Sequence, residues 1–405
     1  MKIIHSADWH LGQTLYGYDR LDDQAAALRH IGAIIEREQP DAVIAAGDIF
    51  DSSQPSAAAQ RLLSETLAEW HRLSRATRMV ITAGNHDSAS RHEVFRTPWT
   101  LAGVEAIGII PPAEDFEAVA RKLIVRIDGK GWIIALPFAG RRLNAEPELV
   151  AKLLERVAAM NSEGLPVVLS AHLPVADADF SANPRFSHDN IVGNVETVGL
   201  ATLGEGYDYL ALGHIHSCQS LGKDGRAWYS GTPLHTSFDE SGPRTVNIVT
   251  IGAHGELPEV RREVIPEPSC LRTLPDEGYA PWDEALELLA GFPAGDNSFV
   301  RLNVAQEEPL PPDAMARAYR AVADKACRFC NINYKCTATA DTGPQSRMSV
   351  ASFIEAQPAE IARMYFDMRG IELSDGRRRL LDRVIAEACN SEETESEPWN
   401  SLLSK

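Results

Sequence analysis

Asp8 and His10 stand two residues apart in the opening stretch MKIIHSADWHLG, and His214 and His216 repeat that spacing in ALGHIHSC. Side chains two apart on an extended chain point to the same side, so each pair can share one metal ion. Three further apolar runs end in similar residues: AAGDIFD carries Asp48, TAGNHDS carries Asn85, His86 and Asp87, and LSAHLP carries His172. Leaving His86 and Asp87 aside, the segments supply two carboxylates, one amide oxygen and four imidazoles. Such a mixed set of oxygen and nitrogen donors suits two divalent ions such as Mn2+, Fe2+ or Zn2+. Two ions about 3.5 to 4 Å apart activate a water and hold a phosphoryl oxygen for in-line attack, so the chemistry implied is phosphoester hydrolysis. Each piece alone is common. Their order, D-x-H, GD, GNHD, H and GHxH, each closing a strand candidate, separates the group from a chance collection of polar residues.

Donors so far apart in the chain meet only if strands carry them to one edge, and open α/β sheets gather functional groups at the carboxyl ends of their strands. The strand candidates are KIIHSAD, DAVIAAGD, RMVITAGN, KLIVRID with WIIALPF across a Gly-Lys-Gly turn, LPVVLSAH, YDYLALGH, AWYSG and TVNIVTI. Helix candidates fall at about 22 to 38, 56 to 75 and 147 to 162. The alternation, with hairpins late in the run, predicts an α/β fold of two mixed β-sheets flanked by helices. The first strand then runs through the middle of a sheet, which holds a terminus that would otherwise fray. His5, on the face opposite Asp8, reads as a buried structural residue.

A chain of 405 residues, 44% of them hydrophobic, can bury a large core and predicts two or three domains. Residues 1–265 form the first. The stretch PEPSC at 266–270 reads as a linker into a small α/β capping domain that ends at 338 and contains the strand NSFVRLNV and the helix PPDAMARAYRAVADKA. A polar segment, TATADTGPQSR, opens the region 339–389, where Ile361, Met364, Tyr365 and Met368, and then Leu380, Leu381, Val384 and Ile385, form apolar stripes at helical spacing. These stripes fit a helical pair packed on its own domain or a docking face for a partner, since short helices after a linker have little core of their own. Residues 390–405 read as a disordered acidic tail.

No run approaches the roughly 18 apolar residues of a membrane span, and the start lacks a signal-peptide layout, which predicts a cytoplasmic protein without a membrane partner. Six cysteines are too few for a disulfide framework. Cys327, Cys330 and Cys336 form C-x2-C-x5-C, one ligand short of a tetrahedral zinc site, and read as free buried thiols. A formal charge of -18 argues against unaided binding of nucleic acid, although a whole-surface average leaves a local cleft or a basic partner open.

The ordered donors resemble those of the calcineurin-like metallophosphoesterases, which are four-layer sandwiches of two sheets between helices. The resemblance implies that Asp8, His10 and His216 bind one metal, that Asn85, His172 and His214 bind the other, and that Asp48 bridges them. It gives His86 contact with the scissile phosphate and protonation of the leaving oxygen, with Asp87 orienting it. Within that family, HSADWHLG, GDIFDSSQPS, ITAGNHDS, LALGHIHS and YSGTPLHTSFDE are similar, nearly motif for motif, to the SbcD group of bacterial nuclease subunits, across the first 265 residues. This implies a manganese-dependent 3'-to-5' exonuclease with endonuclease activity on double-strand DNA ends and hairpins, serving DNA repair, recombination and replication. The implied partner is the SMC-like ATPase SbcC, with a homodimer of this chain inside a heterotetramer. Two divalent ions against two aspartates leave the cleft positive, and the ATPase would supply the remaining DNA affinity.

One departure stands out: archaeal and eukaryotic relatives carry a histidine where this chain has Asp51. Arg141, Arg142 and Arg185 read as solvated surface before backbone contacts, and His30, His71 and His92 as surface residues; His235 has no assigned role. The alternatives are a small-molecule phosphodiesterase or phosphatase with the same two-metal core, and a non-catalytic scaffold, against which the complete donor set argues.

Overall fold

The computed structural model of the chain describes residues 1–112, 114–179 and 197–337, and the single positions 376, 378 and 381. Contacts divide the chain into Met1–Ala338 and Thr339–Lys405. Apart from those three positions, the docking helices and acidic tail expected in the second unit lie outside the described residues.

The first unit begins with β1 (Lys2–Ser6), a small hairpin of β2 (Thr14–Leu15) and β3 (Tyr18–Asp19), and α1 (Leu21–Glu38). Then come β4 (Ala42–Ala46), α2 (Ala57–Leu73), β5 (Arg78–Thr82), α3 (Ala89–Thr100), β6 (Val104–Ile107), α4 (Phe116–Leu123), β7 (Ile124–Ile127) and β8 (Gly131–Leu136). The middle of the chain adds α5 (Gly140–Ala145), α6 (Leu149–Met160), β9 (Val167–His172), β10 (Tyr209–Gly213), β11 (Gln219–Leu221) and β12 (Ala227–Tyr229). It closes with β13 (Thr245–Thr250), β14 (Glu259–Val264), β15 (Leu271–Leu274), α7 (Trp282–Ala290), β16 (Phe299–Gln306), α8 (Ala314–Ala321) and β17 (Arg328–Cys336).

Two six-stranded mixed sheets form, in the orders β14-β13-β1-β4-β5-β6 and β11-β12-β10-β9-β8-β7. Period-two alternation explains how they stack. In β4, Ala42, Ile44 and Ala46 enter the core shared with the second sheet, whereas Val43 and Ala45 join the core under the helices. That second core takes Leu28, Ile31 and Ile35 of α1 and Leu63, Leu67 and Trp70 of α2, one stripe from each helix. A slip of one residue would send each side chain into the opposite core and mismatch the packing of both, so the register is firmly set. As expected, β1 is an interior strand, paired antiparallel with β13 and parallel with β4. The Met1 ammonium donates to the Ile251 carbonyl at 2.7 Å.

The predicted helices appear as α1, α2 and α6, and Ser56 caps α2 by accepting from the Ala59 amide at 3.2 Å. Helix α3 escaped prediction because ASRHEVFRTPWT is polar and contains Pro98, so tertiary packing rather than an apolar stripe fixes it. The predicted linker at 266–270 is tied down: buried Ser269 donates to Asp23 at 2.9 Å, and Glu267 accepts from the His235 amide and ring, each at 2.7 Å. Strands β15, β16 and β17 make a separate parallel sheet whose core joins Val300, Leu302 and Phe329 to Trp282 and Leu289 of α7. Cys327 packs in that core, whereas Cys330 packs apart from it with Leu15 and Phe299, so these two thiols do not converge on a metal. Burial pushes the Cys330 thiol up to about 12, while Cys336 is exposed. Among the described residues, no helix is long and apolar enough to cross a membrane.

Candidate metal centre

Five strand ends meet at one place. Asp8 and His10 follow β1, Asp48 follows β4, Asn85 to Asp87 follow β5, His172 ends β9, and His214 and His216 follow β10. Asp8, His10, Asp48, His172, His214 and His216 are buried, while Asn85 and His86 are exposed. The backbone is bent to achieve this. Asp8, His10, Asp48 and His214 have φ of 55°, 45°, 49° and 102°, and they are four of the six non-glycine residues in the left-handed region among those described. Such conformations cost free energy and persist where surroundings enforce them. Here the enforcement is continued pairing beyond the strands, with Asp8 N to Gly47 O at 3.0 Å, His10 N to Asp48 O at 3.0 Å and Leu11 N to Ile49 O at 2.9 Å. Close approach also requires glycine: a Cβ on Gly84 would overlap the Asp48 carboxylate, and one on Gly213 would overlap the Ala46 carbonyl.

The donor atoms form two adjoining clusters. In one, His10 Nε2 and His216 Nε2 are 3.2 Å apart, and ligand atoms of Asp8, His10 and His216 all lie within 4.8 Å of one another. In the other, Asn85 Oδ1 is 3.0 Å from His172 Nε2 and 2.9 Å from His214 Nδ1. Asp48 Oδ2 stands between them, 3.8 Å from His10 Nε2 and 3.4 Å from His172 Nε2. Two imidazole nitrogens at contact distance call for a proton or cation between them, and the oxygen and nitrogen donors fit divalent metal ions.

Without a metal, charges inside the centre oppose one another. Burial holds His214 down at about 3, and the neighbouring His172 charge adds to the effect. Burial also works against protonated His172, but the Asp48 and Asp8 carboxylates outweigh it and lift this histidine to about 9. Burial raises Asp8; it would raise Asp48 too, yet the histidines around Asp48 hold that carboxyl well below the usual range. A cation entering the centre therefore displaces a proton, as metal ligation by histidine generally does.

Supporting contacts orient the ring nitrogens. His172 Nδ1 donates to the Ala46 carbonyl at 2.8 Å, which turns Nε2 toward Asn85 and Asp48. His86 Nδ1 donates to the Asp51 carbonyl at 2.9 Å, and its amide donates to Asp48 Oδ1 at 2.9 Å. The Asp51 carboxylate lies 3.4 Å from His10 Nδ1. Asp87, to which the resemblance gave the orienting of His86, bonds the backbone. Its carboxylate accepts from the amides of Ile49 at 3.0 Å, Phe50 at 2.9 Å and Gly84 at 2.8 Å, so it staples the two loops that bear Asp48 and His86 without bonding the His86 ring.

Other readings also change. His92 is buried, with Nε2 3.7 Å from Asp87, because α3 packs it beneath the loop; His30 and His71 are partly buried. Arg142 is occupied by the Ile110 and Pro111 carbonyls at 3.0 and 2.6 Å, while the side chain of Arg141 and all of Arg185 lie outside the described residues. His5 is buried as expected, joining the sheets through Tyr209 OH at 2.9 Å and the Leu212 carbonyl at 3.2 Å. His235 belongs to the junction with Glu267. Sequence reasoning missed Glu240, whose Oε1 is 2.7 Å from His216 Nδ1 and whose Oε2 is 3.2 Å from Arg244. Burial opposes its charge, yet His216 and Arg244 hold it at about 2. The available signal was an acidic and a basic residue four apart, shortly after YSGTP.

Two mixed sheets with divalent-ion donors at their strand ends define a calcineurin-like phosphoesterase, and the model of that family matches residues 1–218. The chain is 34% identical over 337 residues to the SbcD component of the SbcCD nuclease from Rhodobacter capsulatus, an alignment covering 76% of this chain and 82% of that one. It is 31% identical over 262 residues to the same component from Bacillus subtilis, covering 62% and 66%. The chain belongs to this family of nuclease subunits within the calcineurin-like phosphoesterases, and it is a metal-dependent hydrolase acting on phosphodiester bonds.

Proposed function

We propose that the chain cuts DNA at double-strand ends and hairpins in the cytoplasm, as exonuclease and endonuclease, with Mn2+ as its ion and an SMC-like ATPase as its partner. The convergence of donors from five strand ends supports the two-ion chemistry, and the 34% identity to a nuclease subunit supports DNA as its substrate. Asp8, His10 and His216 would hold one ion and Asn85, His172 and His214 the other, with Asp48 serving both clusters. Bound there, divalent ions would supply Lewis acidity for a water and positive charge for the phosphate.

The chain's own groups do the rest. The bond from His172 Nδ1 to Ala46 keeps Nε2 unprotonated for ligation once its extra proton leaves. Because His86 Nδ1 donates to a carbonyl, Nε2 is the ring nitrogen left to exchange a proton with the leaving oxygen. Asp87 keeps the two loops together while that proton moves. Exposed Asn85 and His86 leave the open side through which the phosphodiester enters. The apolar stripes within 339–389 supply the docking segment for the ATPase in a two-plus-two assembly.

The test is cleavage of end-labelled duplex and hairpin DNA beside bis-p-nitrophenyl phosphate, with Mn2+, Mg2+ or chelator, with and without the ATPase. Manganese-dependent, ATPase-stimulated cutting is expected. Turnover of the small ester alone, with DNA intact under every condition, would overturn the DNA reading.

A further inference from the structure

We propose that Glu240 is a positioning residue for His216 and that the third sheet, through Arg301, holds Glu240 in place, making that sheet part of the metal centre's scaffold. The inference rests on the reading of His216 as a metal ligand.

Glu240 lies in the irregular segment between β12 and β13, so no strand fixes it. A carboxylate accepting from one imidazole nitrogen fixes the tautomer and ring angle and makes the other nitrogen a better donor. At 2.7 Å from Nδ1, Glu240 does this for the ring whose Nε2 meets His10 Nε2. Burying Glu240 with Arg244, each 2% exposed at the side chain, is weak as a source of stability, since such pairs lose about as much in desolvation as they gain. Its orienting work accounts for its presence.

Two grips hold the segment. From inside, Arg244 donates to Glu240 and to the His216 carbonyl at 3.1 Å, and the Thr236 hydroxyl donates to Glu240. From outside, Arg301 of β16 donates to Asp239 Oδ1 at 2.7 Å and to the Phe238 carbonyl at 3.3 Å, with its guanidinium 5.0 Å from the Phe238 ring centre. These are the two residues just before Glu240. Arg301 is itself fixed in the third sheet by Thr273 Oγ1 at 3.3 Å. A planar fork with several donors suits this triple contact, whereas a lysine could not reproduce it.

The experiment is Mn2+ titration of the full chain by calorimetry, with DNA cleavage measured in parallel, on wild type, E240A, E240Q, R301A and H216A. E240A is expected to weaken one of two ions by about 10- to 100-fold and leave the other unchanged. The near-isosteric E240Q keeps an acceptor and should lose less, which guards against misfolding as the cause. R301A should weaken the same ion by at least about twofold. Wild-type affinity for both ions in E240A and R301A, with H216A impaired, would overturn the inference. Wild-type affinity in H216A as well would unseat the ligand assignment on which it rests.

Discussion

The two six-stranded sheets bring different chemistry to the same centre. The first delivers its oxygens, Asp8, Asp48 and Asn85, together with His10 and His86, while the second delivers only imidazoles, His172, His214 and His216. Backbone bending follows a similar division, with Asp8, His10 and Asp48 in left-handed conformations on the first sheet and His214 on the second. On the proposed assignment each ion draws ligands from both sheets. On that assignment neither ion is held by one sheet alone, and bound ions would fasten the sheets together at the end where bent loops replace regular pairing.

The strongest way to break this comparison is Asp48→Asn, since Asp48 faces donors from both sheets. Both ions should weaken together, by more than about a hundredfold, in calorimetric or elemental analysis. Normal binding of either ion would end the bridging role. Next is His86→Gln, which removes a first-sheet group outside the proposed ligand set. Cleavage should fall about 100- to 10,000-fold with both ions retained; loss of metal would move His86 into the ligand set.

Smaller effects sharpen the picture. If ions fasten the sheets, Mn2+ at a hundred times its Kd should add about 2.7 kcal/mol to folding, seen as a melting temperature that drops by several degrees with chelator. Equal melting temperatures would mean the sheets close without ions. The smallest effect concerns His5, which joins the sheets away from the metal. Burial lowers it from 6.5 to about 3, so between these values the unfolded chain binds a proton that the folded chain refuses. Its contribution is full above pH 6.5 and falls as acid is added, by up to about 1.4 kcal/mol per pH unit. His5→Gln should therefore lose less stability than wild type between pH 7 and 5 in urea titrations, and an equally steep loss would contradict this account.

Much of the centre was legible before folding because its donor residues follow apolar runs at fixed short spacings. D-x-H after KIIHSA and GHxH after YLAL announce both the strand and what its end carries. Likewise α1, α2 and α6 show apolar stripes long enough to read. By contrast α3 is polar, with only His92 buried, and its place depends on β6 and the loop it covers. Glu240 and Arg244 look like any exposed charged pair until burial turns them toward His216. Asp87 received an orienting role from the resemblance alone, and its three amide partners come from loops that meet only in the folded chain.

By itself the sequence determined the α/β class, the interior placement of β1 and the identity of the residues at the five strand ends, since residue type and period-two burial are local properties. Tertiary structure alone decided which donors share a cluster, which nitrogen of each histidine faces inward, and that the third sheet grips the loop behind His216. Those outcomes depend on distances between segments as much as 206 residues apart, such as His10 and His216, and on hydrogen bonds that form only once both sheets have packed.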